Sequence, residues 1–283
     1  MNTPKETWLI TGCSTGIGRE LALEVLGRGA QVAVTARNIS AIADIVESYP
    51  DTAVAVALDV CEQSDIEAAF AATLERFGGI DVLVNNAGYG YLSAIEEGDS
   101  EQLRTMFETN FFGLLAMTQK VIPFMRERRS GCILNISSQA GLMGNPGTGF
   151  YSSSKYAVEG LTEALSKEVA PFGIKVCSIQ PGPFRTDWAG RSMQSNSSVV
   201  SDYDEHVSSR INMIGEIDGR QPGDPKRAAG VIADVAAMEN PPAQLLLGSV
   251  VLDTYKQKLV DLSEQIDRYE SITRSADYPP EEL

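Results

Sequence analysis

The sequence predicts a single α/β domain built on a doubly wound, mostly parallel sheet of seven strands with helices on both faces. Three observations carry this expectation. Short apolar, β-branched runs alternate with longer helical patterns along most of the 283 residues. Those runs are apolar at consecutive positions, as strands buried on both faces must be. A glycine-rich turn follows the first run, at the point where such a sheet opens its binding crevice.

In chain order, WLIT (8–11) is the first strand and leads through glycines to a helix around 16–27. QVAVTA (31–36) leads to a second helix. AVAVALDV (53–60) precedes SDIEAAFAATLERFG, where Ser64 and Glu67 stand at capping-box spacing. IDVLVNNAG (80–88) precedes a long helix beginning near Ser100, CILNISS (132–138) precedes the helix that carries Tyr151, and IKVCSIQPG (174–182) ends the sixth strand. Parallel neighbours of this kind are joined by right-handed crossovers.

After Gly182 the alternation lapses. Residues 183–223 form a stretch long enough, without a strand, to read as a lid over a substrate site. Asp224 and Pro225 have the chemistry of a helix cap and first position, with the helix reaching about Glu239. AQLLLG (243–248) is the seventh strand, and an acidic helical extension fills about 250–283. There Leu252, Tyr255, Leu259, Leu262 and Ile266 recur at intervals of three and four, an apolar stripe that must be buried against the body or a partner.

Composition excludes several classes. A formal net charge of -15 argues against a general electrostatic grip on nucleic acid or an anionic membrane, and leaves small molecules or proteins as partners. Cys13, Cys61, Cys132 and Cys177 lack CxxC spacing and lie in or beside apolar runs, which reads as reduced core residues of a cytoplasmic protein. The start MNTPKETW has no signal-peptide pattern, and no apolar run approaches the roughly 18 residues needed to span a bilayer. The one histidine, His206, lies in the lid, so neither a histidine-assisted serine nucleophile nor a zinc site is expected.

Two stretches carry chemistry. In TGCSTGIG (11–18), Gly12, Gly16 and Gly18 let the chain turn tightly, and the helix that follows offers free N–H groups to a phosphate, although the spacing is not GxGxxG. In GFYSSSKYAVEG (149–160), Tyr151 and Lys155 are four apart and share a helix face, whereas Tyr156 points elsewhere. An ammonium near a phenol favours tyrosinate, and a helix start just before Tyr151 acts in the same sense. Packing and solvation alone also produce such pairs.

The ordered set TGCSTGIG, NNAG (85–88), Ser138, YSSSK (151–155) and PG (181–182) resembles the short-chain dehydrogenase/reductase family from about residue 7 to 250. The resemblance implies a Rossmann-like fold and a catalytic group of Asn110, Ser138, Tyr151 and Lys155. Tyr151 then exchanges the proton, Lys155 lowers its pKa and bonds the nicotinamide ribose, Ser138 bonds the substrate oxygen, and Asn110 holds a proton-relay water. It places the cofactor on Gly12, Ser14, Thr15, Gly16, Ile17, Gly18, Asp59, Val60, Asn86, Ala87, Gly88, Pro181, Gly182 and Thr186. Ala36 stands where NAD-using relatives carry an acid, and Arg37 follows, which resembles the pattern favouring NADP(H) over NAD(H). An arginine merely exposed at a strand end is the alternative.

The implied activity is interconversion of a secondary alcohol and a ketone or other carbonyl. The rival is a non-catalytic NADP(H)-sensing regulator on the same fold. Tyr89, Tyr91, Met143, Trp188 and Met193 would suit an apolar alcohol or carbonyl substrate, and each could equally be core. PGPFRTDWAGRSM and TGCSTGIG look closer to the steroid- and retinol-dehydrogenase-like branch than to ketoacyl reductases. A homo-oligomer is expected, a dimer on the helices near 100–128 and 150–170 rather than a tetramer, with the extension blocking the approach of a neighbour to strand seven.

Overall fold

The computed structural model describes residues 5–279 apart from 189, 191, 196 and 197, so parts of the 183–223 segment and of the C-terminal extension lie outside the described residues. The chain opens with β1 (Thr7–Ile10), α1 (Gly16–Gly27), β2 (Gln31–Ala36), α2 (Ala43–Ser48), β3 (Ala53–Ala57) and α3 (Gln63–Phe77). It continues with β4 (Val82–Asn85), β5 (Gly90–Leu92), α4 (Ser100–Phe107), α5 (Leu114–Arg128), β6 (Gly131–Ile136), α6 (Gly149–Val169) and β7 (Ile174–Pro181). It closes with β8 (Met193–Ser195), α7 (Ser209–Glu216), α8 (Pro225–Ala237), β9 (Gln244–Leu247) and α9 (Ser249–Arg274).

Seven strands form one parallel sheet in the order β3-β2-β1-β4-β6-β7-β9, the doubly wound architecture expected. Successive strand residues face opposite sides. Trp8 and Ile10 therefore join Leu21, Val25, Ala228 and Ile232 of α1 and α8 on one face, while Leu9 joins Ile66, Met117, Val121 and Leu165 of α3, α5 and α6 on the other. The chain order reverses between β1 and β4, so the crevice opens beyond the carboxyl ends of these two strands.

Asp224 caps α8, its carboxylate accepting from the amides of Lys226 and Arg227, with Pro225 at the first position as the sequence implied. The capping box at Ser64 and Glu67 does not form. α3 starts two residues earlier, at Gln63 with Glu62 in the cap position, and Glu67 is drawn away to pair with Lys120 of α5. Cys61 is exposed rather than buried, whereas Cys13, Cys132 and Cys177 are core residues.

The 183–223 segment is not strandless. Met193–Ser195 pairs in parallel with Gly90–Leu92, and α7 contributes Ile211 to a third cluster with Val207, Tyr91, Leu92, Met106 and Tyr151. Among the described residues, no helix is long and apolar enough to cross a membrane. α9 touches the body only at its start: Val251 is buried, Tyr255 and Lys258 are half-buried, and every residue from Leu259 to Pro279 is exposed.

Candidate active site

The first turn of the crevice is shaped by three glycines. Gly12 and Gly16 have φ of 71° and 64°, a region that disfavours side chains. A Cβ on Gly18 would lie 2.3 Å from Asn86 Nδ2 and 2.5 Å from the Gly12 carbonyl oxygen. Asn86 holds the turn, its Nδ2 donating to the carbonyls of Thr11 and Gly12 at 2.9 Å each. Ser14, Thr15 and Ile17 are half-buried along it, and Thr15 gives the first amides of α1 no side-chain cap. With no acid in that first turn, its donors and positive dipole end suit an anion.

The neighbouring loops close on this turn. A Cβ on Gly16 would meet Thr186 Cβ at 3.4 Å, and the Ala87 main chain lies 3.0 Å from where a Cβ on Gly12 would be. Pro181 ends β7, and the Gly182 amide donates to the Leu247 carbonyl. Val60 is buried under Gly113, while the Asp59 carboxylate accepts from the Cys61 amide. Arg37 is exposed directly after buried Ala36. A glycine cradle with uncapped helix amides, bordered by Thr186 and Arg37, fits the diphosphate and adenosine ribose of a dinucleotide.

The four residues expected to be catalytic meet on the β4–β6–α6 side. Tyr151 and Lys155 lie in the first two turns of α6, with Lys155 Nζ 5.9 Å from the Tyr151 ring centre. Nζ donates to the Ile136 carbonyl at 2.9 Å, which ties the lysine to the end of β6. Ser138 follows that strand end, accepts from the Ala140 amide at 3.1 Å, and hydrogen-bonds the Tyr151 hydroxyl. A Cβ on Gly88 would stand 2.9 Å from Asn110 Oδ1 and 3.6 Å from Lys155 Nζ, so the NNAG loop passes over both groups.

Asn110 sits in a π-helical turn, Glu108–Gly113, between α4 and α5. Its Nδ2 donates to the Tyr89 carbonyl at 2.9 Å and Ser154 Oγ at 3.1 Å, and its Oδ1 accepts from the Tyr89 amide at 3.0 Å. The side chain is committed to the protein. Any water it helps to hold must meet its main-chain carbonyl, of the kind a π turn frees from the helix ladder.

The acid–base balance runs against the sequence expectation. Burial pushes the Tyr151 hydroxyl up to about 12, opposed by its hydrogen bond with Ser138 rather than by Lys155. Burial also pulls Lys155 down to about 8, with Glu159 acting in the opposite sense. Tyr151 is 6% exposed, with the Trp188 ring against it, ring centres 5.1 Å apart, and Met193 packs on the same apolar cluster. Tyr91 is core: it stacks on Phe150 and its hydroxyl accepts from the Asp99 amide at 2.7 Å. Met143 and Tyr89 are half-buried, and His206 is exposed.

One group at the site escaped the sequence reading. Glu159, one helical turn beyond Lys155, is 8% exposed. Its Oε1 accepts from Ser178 Oγ at 2.8 Å and Gln180 Nε2 at 3.1 Å, and its Oε2 from Gln180 Nε2 and Gln244 Nε2, both at 3.0 Å. The carboxylate thereby fastens α6 to β7 and β9. A second buried chain runs behind the site, from Thr118 through Asn85 and Asn135 to Thr162, with each bond 2.9 Å. The polar residues interrupting the apolar strand runs were the available signal.

Comparison with known proteins identifies the family and the fold. The family model described as short chain dehydrogenase matches residues 6–197. A 3-ketodihydrosphingosine reductase of Bacteroides thetaiotaomicron is 37% identical over 86% of this chain and 88% of its own. A short-chain dehydrogenase from Streptomyces avermitilis superposes with a TM-score of 0.91 at 38% identity, over 98% of this chain and 100% of that one. Two more distant structures, both at a TM-score of 0.73, are the 3-ketoacyl-(acyl-carrier-protein) reductase of Brucella melitensis complexed with NADH and ElxO with NADP bound; they are 26% and 28% identical and cover 86% and 88% of this chain, and 97% and 99% of their own. The chain belongs to the short-chain dehydrogenase family and is an oxidoreductase of it.

Proposed function

We propose that the protein is an NADP(H)-dependent oxidoreductase that interconverts a secondary alcohol and a ketone or related carbonyl. The observation that carries this reading is the convergence of Ser138, Tyr151, Lys155 and Asn110 beside Gly88, at the open end of a glycine cradle. A bound nicotinamide nucleotide supplies or accepts the hydride. Tyr151 gives or takes the proton on the substrate oxygen, and Ser138 stabilises charge developing there. Lys155 orients the nicotinamide end of the cofactor, and its ammonium favours the tyrosinate once the site opens to solvent or substrate. Asn110 supports the proton path through its carbonyl.

Residues 183–223 act as the lid. Trp188 lies over Tyr151 and Met193 packs on the same cluster, so substrate entry requires this segment to move, and their apolar surfaces favour an apolar substrate. The Bacteroides relative, named for a keto lipid base, supports the same class. Arg37 after Ala36 favours NADP(H), because its guanidinium suits a 2′-phosphate. The unpaired, mostly buried cysteines support a cytoplasmic location.

The coverage of Tyr151 is the observation that favours the rival, a cofactor-sensing protein without turnover. A panel of carbonyls and alcohols run with NADPH and NADH side by side separates the two. Turnover with NADPH, lost in Tyr151→Phe with cofactor binding retained, is the expected result. Undiminished turnover in that variant removes Tyr151 from the chemistry, and binding without turnover across the panel establishes the sensor.

A further inference from the structure

The interior of this protein admits charge at one place. Among the described residues, the buried side chains of Lys, Arg, His, Asp or Glu type are Lys155, 4% exposed, and Glu159, 8% exposed. They are of opposite sign and stand one turn apart on α6, a spacing that sets side chains next to each other on a helix face. Every direct partner of either is neutral. Lys155 Nζ donates to the Ile136 carbonyl, while Glu159 accepts from Ser178, Gln180 and Gln244.

Neutral partners alone do not account for two charges in such a place, because an ion taken out of water is costly unless an opposite charge lies near. The hydrogen bonds to Glu159 all point at its oxygens, as an ionised carboxylate requires. The loop after Ser138 closes the space beside the pair. A Cβ on buried Gly141 would lie 3.1 Å from Glu159 Cγ and 3.1 Å from the Lys155 carbonyl oxygen. With water shut out, opposite charges attract at a separation that solvent would otherwise screen. Burial pulls the Lys155 ammonium down to about 8, and Glu159 is the charge that opposes this. The other titratable groups facing the pair are Tyr151 on α6 and Cys177 on β7, each pushed up to about 12 by burial and so uncharged at neutral pH. From β6 and β9 only the Ile136 carbonyl and the Gln244 amide reach it.

We infer that Glu159 is the buried counter-ion of Lys155, a positioning residue that keeps the ammonium charged beside Tyr151 and acts through it rather than on cofactor or substrate. The hydrogen bonds of the carboxylate hold α6 to the sheet, and its charge serves the lysine. The consequence for turnover rests on the function proposed above, whereas the pairing itself does not.

The charge on Lys155 can be followed directly in the full chain without cofactor or substrate. Lysine labelled with 13C at Cε is titrated by NMR from pH 6 to 10, with Lys155→Met identifying the resonance. In the parent the Lys155 midpoint should lie near 8, well below the ordinary value of 10.5. In Glu159→Gln, which can still hydrogen-bond the same strands, it should fall by on the order of one pH unit. Gln244→Ala loosens the fastening and leaves the charge, so it should move the midpoint far less. Should Glu159→Gln not fold, 13C at Cδ of glutamate gives a second reading in the parent: the Glu159 carboxyl carbon should shift through the Lys155 midpoint. A midpoint unchanged in Glu159→Gln, one moved equally by Gln244→Ala, or a Glu159 carbon blind to Lys155 would overturn the pairing. With a turned-over substrate, the alkaline fall in kcat/KM should move to lower pH in Glu159→Gln by the same amount, because Lys155 then loses its proton sooner. A moved NMR midpoint with an unmoved rate profile would leave the pairing standing and remove Lys155 from the proposed chemistry.

Discussion

Glu159 offers a quantitative test of how α6 is held against the sheet. In Glu159→Leu the shape is roughly kept, but Ser178 Oγ, Gln180 Nε2 and Gln244 Nε2 lose the acceptor they share. Each buried donor left unpaired costs about 1–3 kcal/mol, and the Gln180 amide is spared in part because its Nε2 also donates to Ser178 Oγ. One full loss and one partial loss come to about 3 kcal/mol, the exposed Gln244 amide turning to water, and the added apolar burial returns about 1 kcal/mol, leaving about 2 kcal/mol. For a domain of this size that lowers Tm by about 4 °C. Glu159→Gln should cost less, because the Gln180 Oε1 atom has no partner and a rotated Gln180 amide can accept from the new NH₂ group. Differential scanning calorimetry and urea unfolding on both variants give the comparison. If Glu159→Leu unfolds within about 1 °C of the parent, or Glu159→Gln is the worse of the two, the carboxylate is not the fastening described.

Two further outcomes follow from the geometry. Gly18→Ala puts a methyl group 2.3 Å from Asn86 Nδ2 and 2.5 Å from the Gly12 carbonyl, so the cradle must shift; NADPH affinity measured by fluorescence titration should fall by at least about tenfold, and an unchanged Kd would show that the turn does not hold the nucleotide. The thiols of Cys13, Cys132 and Cys177 are each pushed up to about 12 by burial, against an ordinary value of 9.0. Above pH 9 the unfolded chain gives up these protons and the folded one does not, so Tm should fall between pH 9 and 11. Lys155, lowered to about 8 from 10.5, acts the other way between those values but is one group against three. A Tm that rises through this range would contradict the burial of the three thiols.

The sheet was legible because its strands are apolar on both faces, a pattern that Leu9 and Ile10 already display. The residues of the site were legible as a set in order, and the crevice gathers them. What the sequence could not give were properties that belong to the assembled fold. Ser64 has the chemistry of a cap, but Lys120 arrives from another helix and takes its partner Glu67. A lone glutamate on a helix reads as a solvated face, and Glu159 is buried only because Ser178, Gln180 and Gln244 reach it from two strands. The three residues of β8 carry no β-branched signal and become a strand only by lying against Gly90–Leu92. The direction of the Tyr151 shift comes from burial among residues distant in the chain, Trp188 and Ile211 included, whose approach no local spacing encodes.

The π turn at Glu108–Gly113 gives the chain between Ser100 and Arg128 one residue more than an unbroken α-helix would use. Deleting a single residue there would let the two flanking helices fuse into one continuous rod. The flanking halves would keep their phase, and the change would fall on the turn itself: the carbonyl it frees would return to the ladder and the side-chain bonds of Asn110 to Tyr89 and Ser154 would be lost. A one-residue length change at this point would thus leave the two helices where they are and be felt only at the residue facing the NNAG loop.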